Sequence, residues 1–517
     1  MTGLTSRQRL LILATVCLAA FAINLDTTIV NVALPDLARQ LHASTRDLQW
    51  IVDAYNLSFA ALVLTAGSLG DRFGRRPALL VGLAGFALSS AVGALVTSAA
   101  ALIAVRFVMG ASAAVIFPTT LSIITNAFPD RAERAKAIGL WGAVTGLGVA
   151  VGPVTGGLLL AHFGWPSVFV ALVPVALVAF AATWRWVPES SDPAQARLDL
   201  PGLVLSSGAI GVLVYTIINA PTRGWSSAAT LGGLIGTAAL VISFVLVERR
   251  RERPMIDVSL FRNPAFSAAS SSVTVAFFAL FGFIFLVTQY FQFMRGYGTL
   301  STGVRILPVA MTIALGSVAG VVLAARIGTR AVVTTGLLSL GWSFAWIALS
   351  PIDTPYSHIV GQMVFMGLGL GLTTTPATES ILSVLPAAKA GVGSAVNDAT
   401  REAGGTLGVA VLGSIFTGLF ANHLGHTAFH TLPAHAVATA QNSVAAALAT
   451  AGQAPTASMQ QQLLTGVQSS FVHGFHVACI VAAAICAAGA AGALLLPGRA
   501  RQGDVVAVTA EAELVPA

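Results

Sequence analysis

Six ionisable side chains stand where the chain otherwise avoids charge. Asp26 lies in AINLDTTIVNVALP (22–35), Asp53 in WIVDAYNL (50–57) and Arg106 in LIAVRFVMGASAA (102–114). Glu379 lies in TTTPATES (373–380), and Asp398 and Glu402 lie in AGVGSAVNDATREAGG (390–405). Ionisable groups inside membrane-length apolar runs are costly to hold and mark ion or substrate paths. The chemistry they offer is not covalent. A carboxyl group takes up and releases a proton, and a carboxylate holds a cation.

The spacing suggests how these groups meet. Asp26 is eight residues from the outer end of its apolar run, about 12 Å at 1.5 Å per residue, and Arg106 has a similar depth in another run. An ion pair is possible if the two helices are neighbours. A static pair is the plain alternative, but two lone charges are an expensive way to hold a bundle. Asp398 and Glu402 are four apart and share a helix face, with Arg401 beside them and offset around the helix. Asp53, flanked by Trp50 and Tyr55 as interface anchors, reads as a cation-attracting acid at a vestibule mouth or as a wetted acid near the headgroups. Glu379 reads equally as a cavity acid or a structural one.

The elements that must carry these residues are membrane helices. Of 517 residues 56% are hydrophobic and 9% charged, where a soluble domain is about a quarter charged. Apolar runs long enough to cross a hydrocarbon core of about 30 Å recur along the chain. The segments fall at 10–34, 48–70, 77–97, 99–125, 137–162, 165–187, 200–220, 229–248, 266–292, 303–325, 331–350, 357–385, 390–418 and 472–497. The first is too long for a cleaved leader and reads as a retained span. Cys17, Cys479 and Cys486 lie in apolar runs without metal spacing and read as small core residues.

Charge orients the chain. Twenty of the 27 Lys and Arg fall in one set of loops and five in the other, with Arg106 and Arg401 inside spans. The positive-inside rule then places both termini in the cytoplasm. The formal charge of +7 is mostly this bias, so it argues for a lipid bilayer and against nucleic acid as a partner.

The sequence also repeats itself. In GDRFGRRPALLVG (70–82) Arg72, Gly74 and Arg76 match Arg326, Gly328 and Arg330 of AARIGTRAVVTTG (324–336), and Ala325 stands where Asp71 would be. Parallel repeats of six helices are a common transporter plan. The expected organisation is a six-helix bundle over 1–190, two extra helices and a linker over 191–264, a second six-helix bundle over 265–497 with an outer loop at about 419–471, and a disordered tail over 498–517.

GSLGDRFGRRP (67–77) resembles the signature of the major facilitator superfamily between its second and third helices. LDTTIVNVALP (25–35), LIAVRFVMGASAA and GLGVAVGPVTGG (146–157) resemble the first-, fourth- and fifth-helix motifs of its fourteen-helix drug:proton antiporter branch, the QacA- and EmrB-like exporters. The stretch 390–414 is similar to the thirteenth helix of that branch. The resemblance implies an all-α polytopic membrane protein with the major facilitator fold: two six-helix bundles plus two extra transmembrane helices. It further implies proton-driven export of amphipathic, often cationic, drugs or antibiotics, with Asp398 at a position linked to substrate recognition or coupling. An acid that related pumps carry in span ten is absent from VAMTIALGSVAG.

Physical readings accompany each motif. Gly67 and Gly70 permit close helix approach, and Asp71, Arg72, Gly74, Arg75 and Arg76 form a candidate cytoplasmic gate that holds one state shut. Gly148, Gly152 and Gly156 stripe one helix face, with Gly157 alongside and Pro153 as a weak point. In span nine, AFFALFGFIFLVTQYFQFM (276–294), aromatic residues can line a drug cavity, with Gln289 and Tyr290 its polar candidates. The outer loop carries His423, His426, His430 and His435, and its second half reads as two short helices broken near Pro455. These histidines read as a solvated hairpin, and no metal site is expected. There is no P-loop, His–Glu–His motif or nucleophile elbow, so we expect no enzyme, no cofactor and a monomer. A carrier of another cargo (a lipid, a peptide or a self-made metabolite) remains the alternative.

Overall fold

The computed structural model describes residues 5–190, 199–251, 258–383 and 390–496. The side chains of Asp71 and Arg72, and the surroundings of Gly67, lie outside that description. The described residues form sixteen α-helices and no strand. In chain order these are α1 (Ser6–Gln40), α2 (Thr45–Phe73), α3 (Arg75–Gly93), α4 (Ala99–Ala127), α5 (Arg131–Phe163), α6 (Pro166–Trp186), α7 (Leu200–Arg223) and α8 (Ala228–Arg250). Then come α9 (Pro264–Gln289), α10 (Thr299–Ile327), α11 (Thr329–Ala348), α12 (Tyr356–Ser383), α13 (Ala390–Gly425), α14 (Ala434–Gln441), α15 (Val444–Gly452) and α16 (Ala457–Ala493). All except α14 and α15 are long enough to span a bilayer. Among the described residues thirteen are also apolar enough.

Local chemistry explains where these helices begin and end. Thr5 with Gln8, and Ser44 with Asp47, form capping boxes that satisfy the first amides of α1 and α2. Proline fits the first turn of α6, α7 and α9. Between these ends a lipid-embedded backbone must satisfy its own hydrogen bonds, which only a helix does within one segment.

One boundary differs from expectation. The last span starts at Ala457 rather than 472, and α13 continues to Gly425. Residues 457–471 are too polar for a hydropathy window, but Leu463, Val467 and Phe471 recur every four residues and are buried. They give the stretch an apolar face that packs inside the protein and lengthens α16. The 419–471 loop therefore contracts to 426–456. The break near Pro455 is present, and the second of the two short helices is the start of α16. The two ends of the bundle are called here the near face, where α1 begins, and the far face, where it ends.

Helices α1–α6 pack mainly on one another, as do α9–α13 and α16. Two seams join the sets, α5 on α10 and α2 on α13. Helix α7 lies over the second seam, touching both α2 and α13, and α8 packs on α7 at the periphery with only Thr230, Thr237 and Glu248 buried.

The far-face seams are in intimate contact. A Cβ on Gly303 of α10 would run into the Pro153 carbonyl oxygen of α5, and one on Gly157 would strike the Leu300 backbone. Gln49 of α2 donates to the Val409 and Ala410 carbonyls and to Ser414 Oγ of α13. Gln292 donates to Val32 O at 3.0 Å, and the Thr45 amide donates to Asn442 O in the turn between α14 and α15. Nearer the opposite face, Gly142 and Gly146 of α5 look onto open space.

The sequence echo is an echo of contacts. Gly74 (φ 111°) and Gly328 (φ 90°) are the one-residue joints between α2 and α3 and between α10 and α11, a conformation that glycine takes without strain. Arg76 Nη2 donates to Trp184 O at the end of α6, at 2.6 Å. Arg330 Nε donates to Leu496 O just past α16, at 2.8 Å. Each arginine thus satisfies a carbonyl at the end of the last helix of its own set. The described part of the expected gate, Gly74, Arg75 and Arg76, is accordingly fastened within one half. The Arg75 amide bonds Ser190 O, and Glu189 packs against Gly74.

Candidate functional site

Helix α1 is the hub. Gly148, Gly152 and Gly156 of α5 lie on it, and side chains there would meet Phe21 and Asn24, then Thr28, then Ile29. Thr28 Oγ1 donates to Val149 O at 3.2 Å across this contact. The small-residue stripe is therefore the surface on which α1 is seated.

On its other side α1 carries Asp26, sealed from solvent. Arg106 Nη1 of α4 donates to both carboxylate oxygens, at 2.9 and 2.7 Å. Arg106 Nε donates to Ile51 O of α2 at 3.0 Å, and the guanidinium lies 4.3 Å from the centroid of the Tyr55 ring. The pair thus ties three helices together. Removing one partner of a buried pair costs about 3–5 kcal/mol. An Arg106→Leu variant is expected to unfold in detergent at a clearly lower temperature, and part of the loss should return in the Asp26→Asn/Arg106→Leu double variant. A double variant as unstable as the single one would show that Asp26 is not what Arg106 compensates.

A pocket with about 520 Å³ of non-atom space, open solvent included, lies between the two helix sets. Asn24, Thr27 and Thr28 of α1 form one wall, and Phe277 and Phe281 of α9 another. Asp398, Arg401 and Glu402 of α13 project into it. Helix α13 reaches α9 closely because Gly404 and Gly408 rest on the Thr274 and Phe278 backbones. Oε2 of Glu402 is buried and has no hydrogen-bond partner among the described residues. The site is therefore an apolar, aromatic chamber with two carboxyl groups and a guanidinium along one side. Such a chamber suits an amphipathic cation.

Several expected site residues lie elsewhere. Asp26 does not line the cavity. It sits behind the α1 wall, next in sequence to the lining residue Thr27. Asp53 is fully buried rather than at a vestibule mouth, and neither oxygen has a partner among the described residues. It lies one turn from Gln49, on the helix face turned to the α2–α13 seam. Tyr55 is not an interface anchor but is buried over Arg106, and Trp50 is half-buried against Tyr215 of α7. Covering by α13 and α7 puts this stretch inside the protein.

Glu379 is exposed on α12 and is not a lining residue. Gln289 is buried and donates to Phe285 O within its own helix. Tyr290 starts a π-helical turn (Tyr290–Met294) that reorients the end of α9. Its hydroxyl donates to Ile352 O, and its ring stacks on Phe475 of α16 in a second pocket. Of the loop histidines, His423 ends α13 and stacks on His473 of α16, while His426, His430 and His435 are solvent-facing. No three metal-ligating side chains come together among the described residues. The three cysteines are buried and unpaired.

Residues 16–409 match the family model described as Major Facilitator Superfamily. The chain belongs to this superfamily. Among its curated relatives in the major facilitator superfamily is "Multidrug resistance protein Stp" of Mycobacterium tuberculosis, 37% identical over 79% of this chain and 76% of that one. "Multidrug efflux pump LfrA" of Mycolicibacterium smegmatis is 35% identical over 93% of this chain and 94% of its own. The major facilitator fold is seen too in the likeness to a solved bacterial homologue of the human lysosomal transporter Spinster, with a TM-score of 0.67 at 15% identity, covering 95% of this chain and 97% of that one. This major facilitator protein is therefore an all-α, multi-pass membrane protein.

Proposed function

We propose that the chain is a proton-coupled antiporter that exports amphipathic, cationic drugs across the cytoplasmic membrane by alternating access, as a monomer, with both termini in the cytoplasm. The observation that carries this reading is the chamber between the helix sets, in which Asp398 and Glu402 face Phe277 and Phe281. The names of relatives such as the efflux pump LfrA support a drug as cargo. The charge bias of the loops supports the orientation.

In the described state the far-face seams are shut, so cargo enters from the near, cytoplasmic face. Its positive charge favours the ionised carboxyls and displaces a proton. Asp26 works through α1: its charge state alters the pull of Arg106 on the helix whose opposite side, at Asn24, Thr27 and Thr28, lines the chamber. Protons arriving after the seams part neutralise the carboxyls and release cargo outward. One charge crossing 100 mV carries about 2.3 kcal/mol, so no cofactor is needed. In this reading Asp53 binds a proton as the far-face seam opens, and the motif carrying Asp71, Arg72 and Gly74 gates the near face.

Inverted membrane vesicles containing the protein are expected to accumulate ethidium when energised, and a protonophore should abolish the accumulation. Accumulation that persists with the protonophore would refute proton coupling, and none in either condition would point to another cargo.

A further inference from the structure

The chamber contains a cation of its own. The Arg401 guanidinium lies 4.6 Å from the centroid of the Phe277 ring, and its Nη1 is 3.7 Å from Asp398 Oδ1. A ring face and a carboxylate are the two contacts a cationic ligand would seek here. The hold is loose. The ion pair is too long for a hydrogen bond, the side chain keeps 29% exposure, and Nε has no hydrogen-bond partner among the described residues. Arg106 shows the contrast: it is sealed, with hydrogen bonds to both Asp26 oxygens and to a carbonyl.

We propose that Arg401 is a tethered stand-in for cargo, which fills the Phe277–Asp398 subsite of the chamber and sets its charge to accept one positive charge. The proposal rests on the drug-export reading and names the charge class of its cargo. No other titratable side chain lines the chamber among the described residues. With both carboxyls ionised, Asp398, Glu402 and Arg401 sum to a single negative charge. A monovalent cation that displaces the guanidinium from Phe277 leaves the chamber neutral, whereas a divalent one leaves it positive in a poorly solvated space. Neutralising Arg401 makes the site doubly negative and reverses that preference. In the sequence Arg401 is only the neighbour of Glu402, offset around the helix. Its seat on the ring face becomes visible only when α9 meets α13.

The test compares ethidium and propidium, which share a ring system and carry one and two positive charges. Equilibrium binding to the purified full-length protein in detergent is read by fluorescence anisotropy. Arg401→Gln is expected to lower the propidium-to-ethidium Kd ratio by about tenfold, the effect of one unit charge in a partly screened site. Arg401→Lys, which keeps the charge, should retain the wild-type ratio. If Arg401→Gln fails to fold, Asp398→Asn reads the same quantity with the opposite sign, and the ratio should rise. A ratio unchanged in a folded Arg401→Gln or Asp398→Asn protein would overturn this proposal alone. Failure of the wild type to bind either dye would overturn it together with the drug-export reading.

Discussion

An Asp26→Asn carrier is expected to reach the membrane in normal amounts and to lose gradient-driven efflux down to the level of empty vesicles. Asparagine keeps the shape of aspartate and can still accept a hydrogen bond from Arg106, so the contact among α1, α2 and α4 survives in outline. What it cannot do is gain and lose a proton. The loss should therefore fall on coupling, with membrane abundance little changed. Asp26→Glu, which restores the titratable group on a longer arm, is expected to recover part of the activity. If Asp26→Asn exports dye at the wild-type rate and remains sensitive to a protonophore, the pair is a static brace and Asp26 leaves the mechanism.

The second large effect is expected at Gly303. Its Cα faces the Pro153 carbonyl oxygen across the α5–α10 seam, and any side chain there meets backbone that no rotamer change can move. Gly303→Val should hold the far face ajar and abolish export. The opening can be read with Thr27→Cys, whose thiol would lie on the chamber wall. A membrane-impermeant thiol reagent added on the far side should label it in the Gly303→Val background and spare it in the parent. The native cysteines are buried and give little background. Wild-type export by Gly303→Val, with the introduced thiol still protected, would show that this seam is not the closing surface.

The parts legible in the sequence were those with a local cause. Charge in an apolar run is conspicuous wherever the helix packs, so Asp26, Arg106, Asp398 and Glu402 stood out. A glycine every fourth residue marks a close-packed face before its partner is known, and α1 is that partner for Gly148, Gly152 and Gly156. The echo of Arg76 in Arg330 gave the repeat because each copy ends on the same kind of carbonyl.

The parts that were not legible depend on facing. A helix apolar all round carries no sign of which side meets lipid, seam or chamber. Asp53 and Tyr55 therefore looked like surface residues, whereas α4, α7 and α13 cover their stretch. Gln289 and Tyr290 looked like chamber residues, but α9 gives that role to Phe277 and Phe281, more than two turns earlier. Asn24, Thr27 and Thr28 drew no notice, because neutral polar residues on a membrane helix are unremarkable until the opposite wall is known. The start of α16 was missed for a related reason: average polarity hid the four-residue repeat of Leu463, Val467 and Phe471.

The central claim is that cargo and proton exchange for the same carboxyl charge. It is tested most directly by following the pH of a weakly buffered solution of purified protein while ethidium is added. Our account predicts protons released in step with dye bound, saturating together and falling when Asp398 is replaced by asparagine. Saturable dye binding with no proton release anywhere across the neutral pH range would contradict it.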